Sequence, residues 1–204
     1  MTKLFLIRHG LTEWNKLNKF QGSSDISLCK EGVEQAKKLA SRLSSYNFEA
    51  IYASDLSRAY DTATYIAQAH NLVVKKIPEL REIHFGEWEG LTKDEIIKLK
   101  NYDFNRWKVS PHSEKFPGEG SFLNVQRRVM KGIHTILSRH TEGNIVIVSH
   151  GGSLKIIILS LLELDLSFYR KFWLGNTSLS IIELQQHRSI LNLLNDMSHL
   201  ENSV

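Results

Sequence analysis

Three short segments hold residues suited to binding and moving a phosphoryl group. They are Arg8-His9-Gly10, Ser54-Asp55-Leu56-Ser57-Arg58 and Ser149-His150-Gly151-Gly152. Arginine offers a planar fork of donors matched to phosphate oxygens. A Gly-Gly turn that opens a helix can aim backbone N–H groups at an anion. A neutral imidazole is an adequate nucleophile, and its ordinary pKa of about 6.5 leaves much of it unprotonated near pH 7. Two nearby arginines lower that pKa further. Taken singly, each residue also has a plain structural reading. A lone strand-end histidine such as His9 or His150 is more often a satisfied core residue, and Arg58 alone is an ion pair on a helix surface. A zinc site built from His9, His84 and His150 is a further alternative. The chain has no His-x-His or His-Glu-x-x-His pair to support it.

These segments meet only if three strands deliver them to one edge. Apolar runs of strand length, rich in Val and Ile, occur at Lys3–Ile7, Ala50–Ala53, Leu72–Val74, Ile145–Val148, Leu179–Leu184 and Ile190–Leu194. Between them the spacing is helical. Val33, Ala36, Ala40 and Leu43 share one face, with Ser27 as a cap upstream. Leu56, Ala59, Ala63 and Ile66 share another, with Ser54 as cap. Phe122, Val125, Val129, Ile133 and Ile136 form a long stripe after Ser121, and Leu154 to Leu162 is apolar nearly all round. Residues Thr92 to Lys108 read as a helical insertion and Ser110 to Gly120 as a loop. The alternation predicts an α/β fold, a three-layer α/β/α arrangement with a mostly parallel central sheet. The chain is expected to form a single domain over residues 1–204, with an insertion over the active site at about 92–120. The last two strands are expected to pair as a hairpin at one sheet edge. In such sheets ligands bind beyond the carboxyl ends of the strands. The three segments follow three of those ends.

Bulk composition narrows the classes. The chain has 204 residues, 42% hydrophobic and 24% charged, enough for a sizeable core without disulfide or structural metal. Cys29 is the one cysteine, so no intrachain disulfide can form. No apolar run reaches the roughly 18 residues of a membrane span, and no leader pattern precedes the first strand. A cytoplasmic protein without membrane contact is expected. The formal net charge is +4, but Lys37-Lys38, Lys75-Lys76 and Arg127-Arg128 are isolated pairs. A nucleic-acid partner needs clustered charge, so the excess is read as a basic pocket for a small anion.

Longer motifs carry a resemblance. Arg8-His9-Gly10 is followed by Thr12, Glu13, Trp14 and Asn15, then by Phe20-Gln21-Gly22. Next come Leu28 to Ala36 and Ser54-x-Leu56-x-Arg58-Ala59-x-x-Thr62-Ala63. Leu80-Arg81-Glu82-Ile83-x-Phe85-Gly86-x-Trp88-Glu89-Gly90 follows, then Val148-Ser149-His150-Gly151-Gly152 and Asn176-x-Ser178. In this order the segments resemble the histidine phosphatase superfamily, in its phosphoglycerate mutase-like branch, over about residues 3 to 184. The resemblance implies a phosphomonoester hydrolase without metal or other cofactor, acting on a small phosphorylated metabolite. It implies that His9 attacks phosphorus, that Arg8 and Arg58 hold the phosphoryl oxygens, that His150 stabilises the extra charge of the transition state, and that Glu82 is the general acid and base. Asn15, Gln21, Gly22 and Gly151 then line the substrate. A carboxyl serving as acid near neutral pH must hold a proton part of the time, so Glu82 is expected in a buried setting.

Within the superfamily the pattern is closest to α-ribazole phosphatases and broad-specificity phosphatases. Phosphoserine phosphatases and phosphoglycerate mutases are alternatives, as is a non-catalytic phosphate-binding protein of the same fold. Phe85 stands where phosphoserine phosphatases carry a substrate-recognising histidine. Pro117-Gly118-Glu119-Gly120-Ser121 departs from the family's Pro-Gly-Gly-Glu-Ser and shifts Glu119 by one position. Phe104, Trp107 and Phe116 either stack on a flat substrate group or pack the insertion. The C-terminal strands either extend the core or form the edge of a homodimer.

Overall fold

A computed structural model describes residues 1–99 and 102–201. Among these, six strands form one sheet in the order β3-β2-β4-β1-β5-β6. They are β1 (Thr2–Arg8), β2 (Ala50–Ala53), β3 (Val74–Lys76), β4 (Gly143–Ser149), β5 (Leu179–Gln185) and β6 (Arg188–Asp196). The pairs β1–β4, β2–β4 and β2–β3 are parallel, whereas β5 and β6 form the antiparallel hairpin expected at one edge. The helices are α1 (Glu13–Lys16), α2 (Lys30–Leu43), α3 (Ser57–His70), α4 (Lys93–Leu99), α5 (Phe104–Val109), α6 (Phe122–Leu137) and α7 (Gly151–Leu161).

The period-2 geometry of the strands sorts their side chains onto two faces. Leu4, Leu6, Tyr52, Ile145 and Ile147 pack with Phe122, Val125, Val129 and Ile133 of α6 and Leu154, Ile157 and Ile158 of α7. The intervening residues Phe5, Ile7, Ile51, Ala53, Val146 and Val148 pack on the other face. Their partners are Leu39 and Leu43 of α2 and Ala59, Ala63 and Ile66 of α3. Each large side chain buried in this way stabilises the fold by roughly 1.5–3 kcal/mol before chain entropy is counted. Leu191 of β6 packs toward the first face and Leu193 toward the second, so the hairpin extends the core.

Several boundaries differ from the sequence expectation. Cys29, not Ser27, precedes α2. Helix α3 begins at Ser57, and Ser54 instead accepts from the Leu56 N–H at 3.3 Å. The first turn of α3 is capped from afar, because Asp25 Oδ1 accepts from both Ser57 N and Ser57 Oγ at 2.8 Å. Leu72 is no strand residue. Asn71 ends α3 in the left-handed conformation (φ 53°), and the Leu72 N–H closes the cap on Ala67 O at 3.1 Å. Ser121 caps α6 as expected, accepting from Asn124 N. The insertion carries α4 and α5, and no helix or strand forms from Ser110 to Gly120.

Candidate active site

Register gathers the three segments. Arg8 of β1 lies beside Ser149 of β4, and Ala53 of β2 beside Val148, so three strand ends align. Two backbone bonds continue the pairing past the strands: His9 N donates to Ser149 O and Ser54 N to Val148 O, both at 3.0 Å. Beyond that edge is a cleft of about 480 Å³, with Arg8, His9, Asn15, Gln21, Gly22, Arg58 and Glu82 among its lining residues. His150 is fully buried, its ring centroid 5.1 Å from that of His9.

His9 Nδ1 is 2.7 Å from Gly10 O. A carbonyl only accepts, so Nδ1 carries the proton and Nε2 keeps its lone pair. Burial, then Arg58 and Arg8, hold the His9 pKa well below the usual imidazole value, against the pull of the Gly10 bond. His150 is lowered likewise, by burial and then by Arg58, His9 and Arg8. Both rings are therefore neutral at neutral pH.

Arg58 enters from the first turn of α3 and is fully buried. Its two terminal nitrogens donate to Ser24 O at 2.7 Å and Gly22 O at 2.8 Å. Burial brings its pKa down to about 10, against the opposing charges of Glu82 and Asp25, so it stays a cation. Arg8 donates to Leu174 O at 2.7 Å. The Nε atoms of Arg8 and Arg58 and both ring nitrogens of His150 are buried without a protein partner. Buried donors left in this way are costly unless something accepts from them. Three such donors, the two arginine Nε–H groups and the single N–H of neutral His150, surround His9 and form a cradle for a multiply charged oxyanion.

Glu82 is only half-buried, and hydrogen bonds rather than apolar walls hold it. Its oxygens accept from Gly152 N at 3.0 Å, Ser153 N at 2.9 Å and Ile83 N at 3.0 Å. The carboxyl thus sits on the N-terminal turn of α7, where the helix dipole favours negative charge. That departs from the buried setting expected for it. Glycine is needed at 152, because a Cβ there would come 2.7 Å from Glu82 Oε1 and from Ile83 Cδ1. Gly151 opens α7 against the Arg8 guanidinium.

Asn15 is fixed by a capping box with Thr12, and its Oδ1 also takes a bond from Asn176 Nδ2 at 3.2 Å. Gln21 accepts from Thr12 Oγ1 at 3.0 Å. Gly22 has φ +53°, and a side chain there would collide with Glu89. Glu89 is the residue that sequence reasoning passed over. Its carboxylate accepts from Ser23 N and Ser24 N at 2.9 Å, Ser24 Oγ at 2.6 Å, His84 Nδ1 at 2.9 Å and Phe85 N at 3.0 Å. It is thereby the anchor of the loop whose carbonyls hold Arg58. The bonds from Ser24, Ser23, His84 and Phe85 outweigh burial and hold Glu89 below the usual carboxylate range.

Three further expectations resolve here. His84 is tied to Ser23 and Glu89 outside the cleft lining, so it does not join His9 and His150. Among the described residues no group of three His, Cys, Asp or Glu could hold a metal ion. Glu119 does not reach the cleft. It grips Arg128 at 2.7 and 2.9 Å, and Arg128 in turn donates to the carbonyls of Glu79, Arg81 and Glu82. Phe104, Trp107 and Phe116 are buried and pack the insertion, while Phe20, Phe85 and Trp173 line the cleft in their place, with Lys19 and Lys93. Neither Trp173 nor the lysines carry a motif signal, so proximity alone identifies them.

The whole chain can be compared with known proteins. Residues 4–197 match the model of the histidine phosphatase superfamily (branch 1). Phosphoserine phosphatase 1 of Hydrogenobacter thermophilus is 38% identical over 98% of this chain and 95% of its own. A crystal structure of a phosphoserine phosphatase variant from Entamoeba histolytica in complex with phosphoserine is 36% identical. It covers 98% of this chain and 100% of its own, with a TM-score of 0.84. The α-ribazole phosphatase from Shigella flexneri is 30% identical over 96% of each chain, with a TM-score of 0.86. No helix among the described residues is long and apolar enough to cross a membrane. The chain belongs to the histidine phosphatase superfamily, branch 1.

Proposed function

We propose that the protein hydrolyses the phosphomonoester of a small metabolite in two steps through a phosphohistidine at His9. The observation that carries this reading is the His9 ring, neutral, with Nδ1 tied to Gly10 O, set beside His150 and two arginines with unpartnered donors. In the first step the Nε2 lone pair attacks phosphorus and the ester P–O bond breaks. Glu82 gives its proton to the departing alkoxide. In the second step water attacks phosphorus, the P–N bond breaks, and Glu82 takes the proton from that water. Arg8, Arg58 and His150 bind the equatorial oxygens, where charge is spread in the transition state. Asn15, Gln21, Gly22 and Gly151 complete the walls around the phosphoryl group.

The substrate we favour is a phosphomonoester bearing a carboxylate, such as phosphoserine. Lys19 and Lys93 line the cleft and suit a carboxylate, and the similarity to phosphoserine phosphatases points the same way. A second reading, α-ribazole 5′-phosphate, is favoured by the aromatic walls Phe20, Phe85 and Trp173. Comparing kcat/KM for phosphoserine, α-ribazole phosphate and the phosphoglycerates, in the presence of a chelator, decides between them. Phosphoserine is expected to lead by at least about tenfold, a difference of roughly 1.4 kcal/mol in transition-state binding. A lead for α-ribazole phosphate would overturn the choice of substrate. Interconversion of 3- and 2-phosphoglycerate on addition of bisphosphoglycerate would make the protein a mutase. No turnover of any ester would make it a binding protein.

A further inference from the structure

A second cavity, of about 490 Å³, adjoins the catalytic cleft, and Trp173 lines both. Its basic lining residues are Lys108, Lys155, Arg170 and Lys171, with no acidic residue among the walls. None of these four takes part in an ion pair among the described residues. Lys155 differs from an ordinary solvated lysine. It is half-buried on α7, and its Nζ lies 3.8 Å from the ring centroid of Tyr169 and 5.6 Å from that of Phe172. Burial, followed by the charge of Arg170, lowers its pKa to about 8. Trp107 also lines this cavity and is 9% exposed, and its indole N–H is buried without an acceptor.

Cations without acidic partners make a wall that attracts an anion. Aromatic faces beside them accept a planar ring, and a pocket with apolar walls and a few fixed polar groups is the usual form of a small-molecule site. We propose that this cavity is a second subsite, which takes a planar aromatic group bearing a carboxylate or phosphate. Lys155 lies on the same helix as Gly152 and Ser153, whose N–H groups hold Glu82, so the cavity shares a structural element with the catalytic cleft. The aromatic anion has two sources: the far end of a substrate seated by its phosphoryl group, or a separate molecule. The site itself does not depend on the chemistry at His9.

The probe is 2-naphthoate, which has no phosphoryl group. It is titrated by calorimetry into the full chain with orthovanadate saturating the phosphoryl cradle. One equivalent is expected to bind, with affinity lowered at least about fivefold in Lys155→Met and in Arg170→Gln and lowered again by raised salt. Hydrolysis of p-nitrophenyl phosphate by Arg170→Gln should stay near the wild-type rate, which shows that fold and cradle are intact. If 2-naphthoate competes only with a phosphorylated naphthoate, the site serves the far end of a substrate. If it alters turnover of p-nitrophenyl phosphate without competing, it serves a separate molecule. Either result supports the subsite. Displacement of 2-naphthoate by vanadate, equal affinity in both variants, or no binding would overturn it. Because the readout is binding, that failure is distinct from failure of the phosphatase reading, which would show as lost ester hydrolysis.

Discussion

Glu82 is the residue whose setting bears most on mechanism. Three backbone N–H groups and the Ser153 hydroxyl converge on its carboxyl. They fix its position, but none supplies the proton that a departing alkoxide needs. Its contribution should therefore depend on the leaving group. Glu82→Gln is expected to slow hydrolysis of an alkyl ester such as phosphoserine by roughly 10²–10⁴-fold. The first step with p-nitrophenyl phosphate, whose leaving group needs no proton, should fall much less. Rapid-mixing measurements of both substrates would check this, and equal losses would show that Glu82 acts on something other than the leaving group. Much of this residue-level picture was legible in the chain. Arg8, His9, Arg58 and His150 each follow a strand end or open a helix, and parallel topology alone predicts that they meet. Glu82 was not reachable by that route, since it follows a short 3-10 turn (Pro78–Leu80) rather than a strand, and only the family pattern points to it.

Among the structural elements, the loop from Gln21 to Asp25 has the most consequence for its length. Its carbonyls at Gly22 and Ser24 aim Arg58, its Asp25 caps α3, and Glu89 holds its serines. Removing that anchor leaves several donors unpaired. Glu89→Ala is expected to cost about 1–3 kcal/mol of stability. It should also raise KM more than it lowers kcat, because the Arg58 fork loses its aim. Denaturant titration alongside steady-state kinetics measures both, and an unchanged KM would show that the loop holds its shape unaided. The family pattern marks Gln21 and Gly22, but nothing in the sequence points to Glu89 as the anchor, because its contacts with Ser23 and Ser24 join positions more than sixty residues apart. The shifted boundaries have the same kind of cause. Ser27 and Ser54 have the right chemistry for caps, but Asp25 reaches the α3 terminus from elsewhere in the chain. Leu72 has the right polarity for a strand but is spent closing a helix.

At the scale of the whole molecule, the segment from Asp196 to His199 is tied to the strand end that carries His9. Arg42 of α2 grips Asp196 at 2.7 and 2.8 Å, and His199 Nε2 donates to Thr177 Oγ1 at 3.0 Å. Thr177 N donates in turn to Arg8 O at 3.0 Å. Burial and the Arg42 charge lower the His199 pKa to about 4. His199 is therefore neutral in the fold, whereas in the unfolded chain it binds a proton near 6.5. The unfolded state then holds more protons between those values, so stability is whole above about pH 6.5 and falls as pH drops toward 4. The buried His9 and His150, whose pKa values also lie below the usual imidazole value, act in the same direction. Chemical denaturation at pH 7.5 and pH 5 should show the lower value at pH 5, with a smaller difference in His199→Gln. An undiminished difference in that variant would assign the effect to other groups.

The central claim is the covalent step, and the direct measurement is the phosphoenzyme itself. The protein is mixed rapidly with ³²P-labelled substrate, quenched in alkali, digested, and the labelled peptide sequenced. The account predicts one phosphoryl group per chain, stable in alkali and labile in acid, on the peptide carrying His9. In His9→Ala both the label and turnover should vanish. Full turnover in that variant, an acid-stable adduct, or a label on any other residue would contradict it.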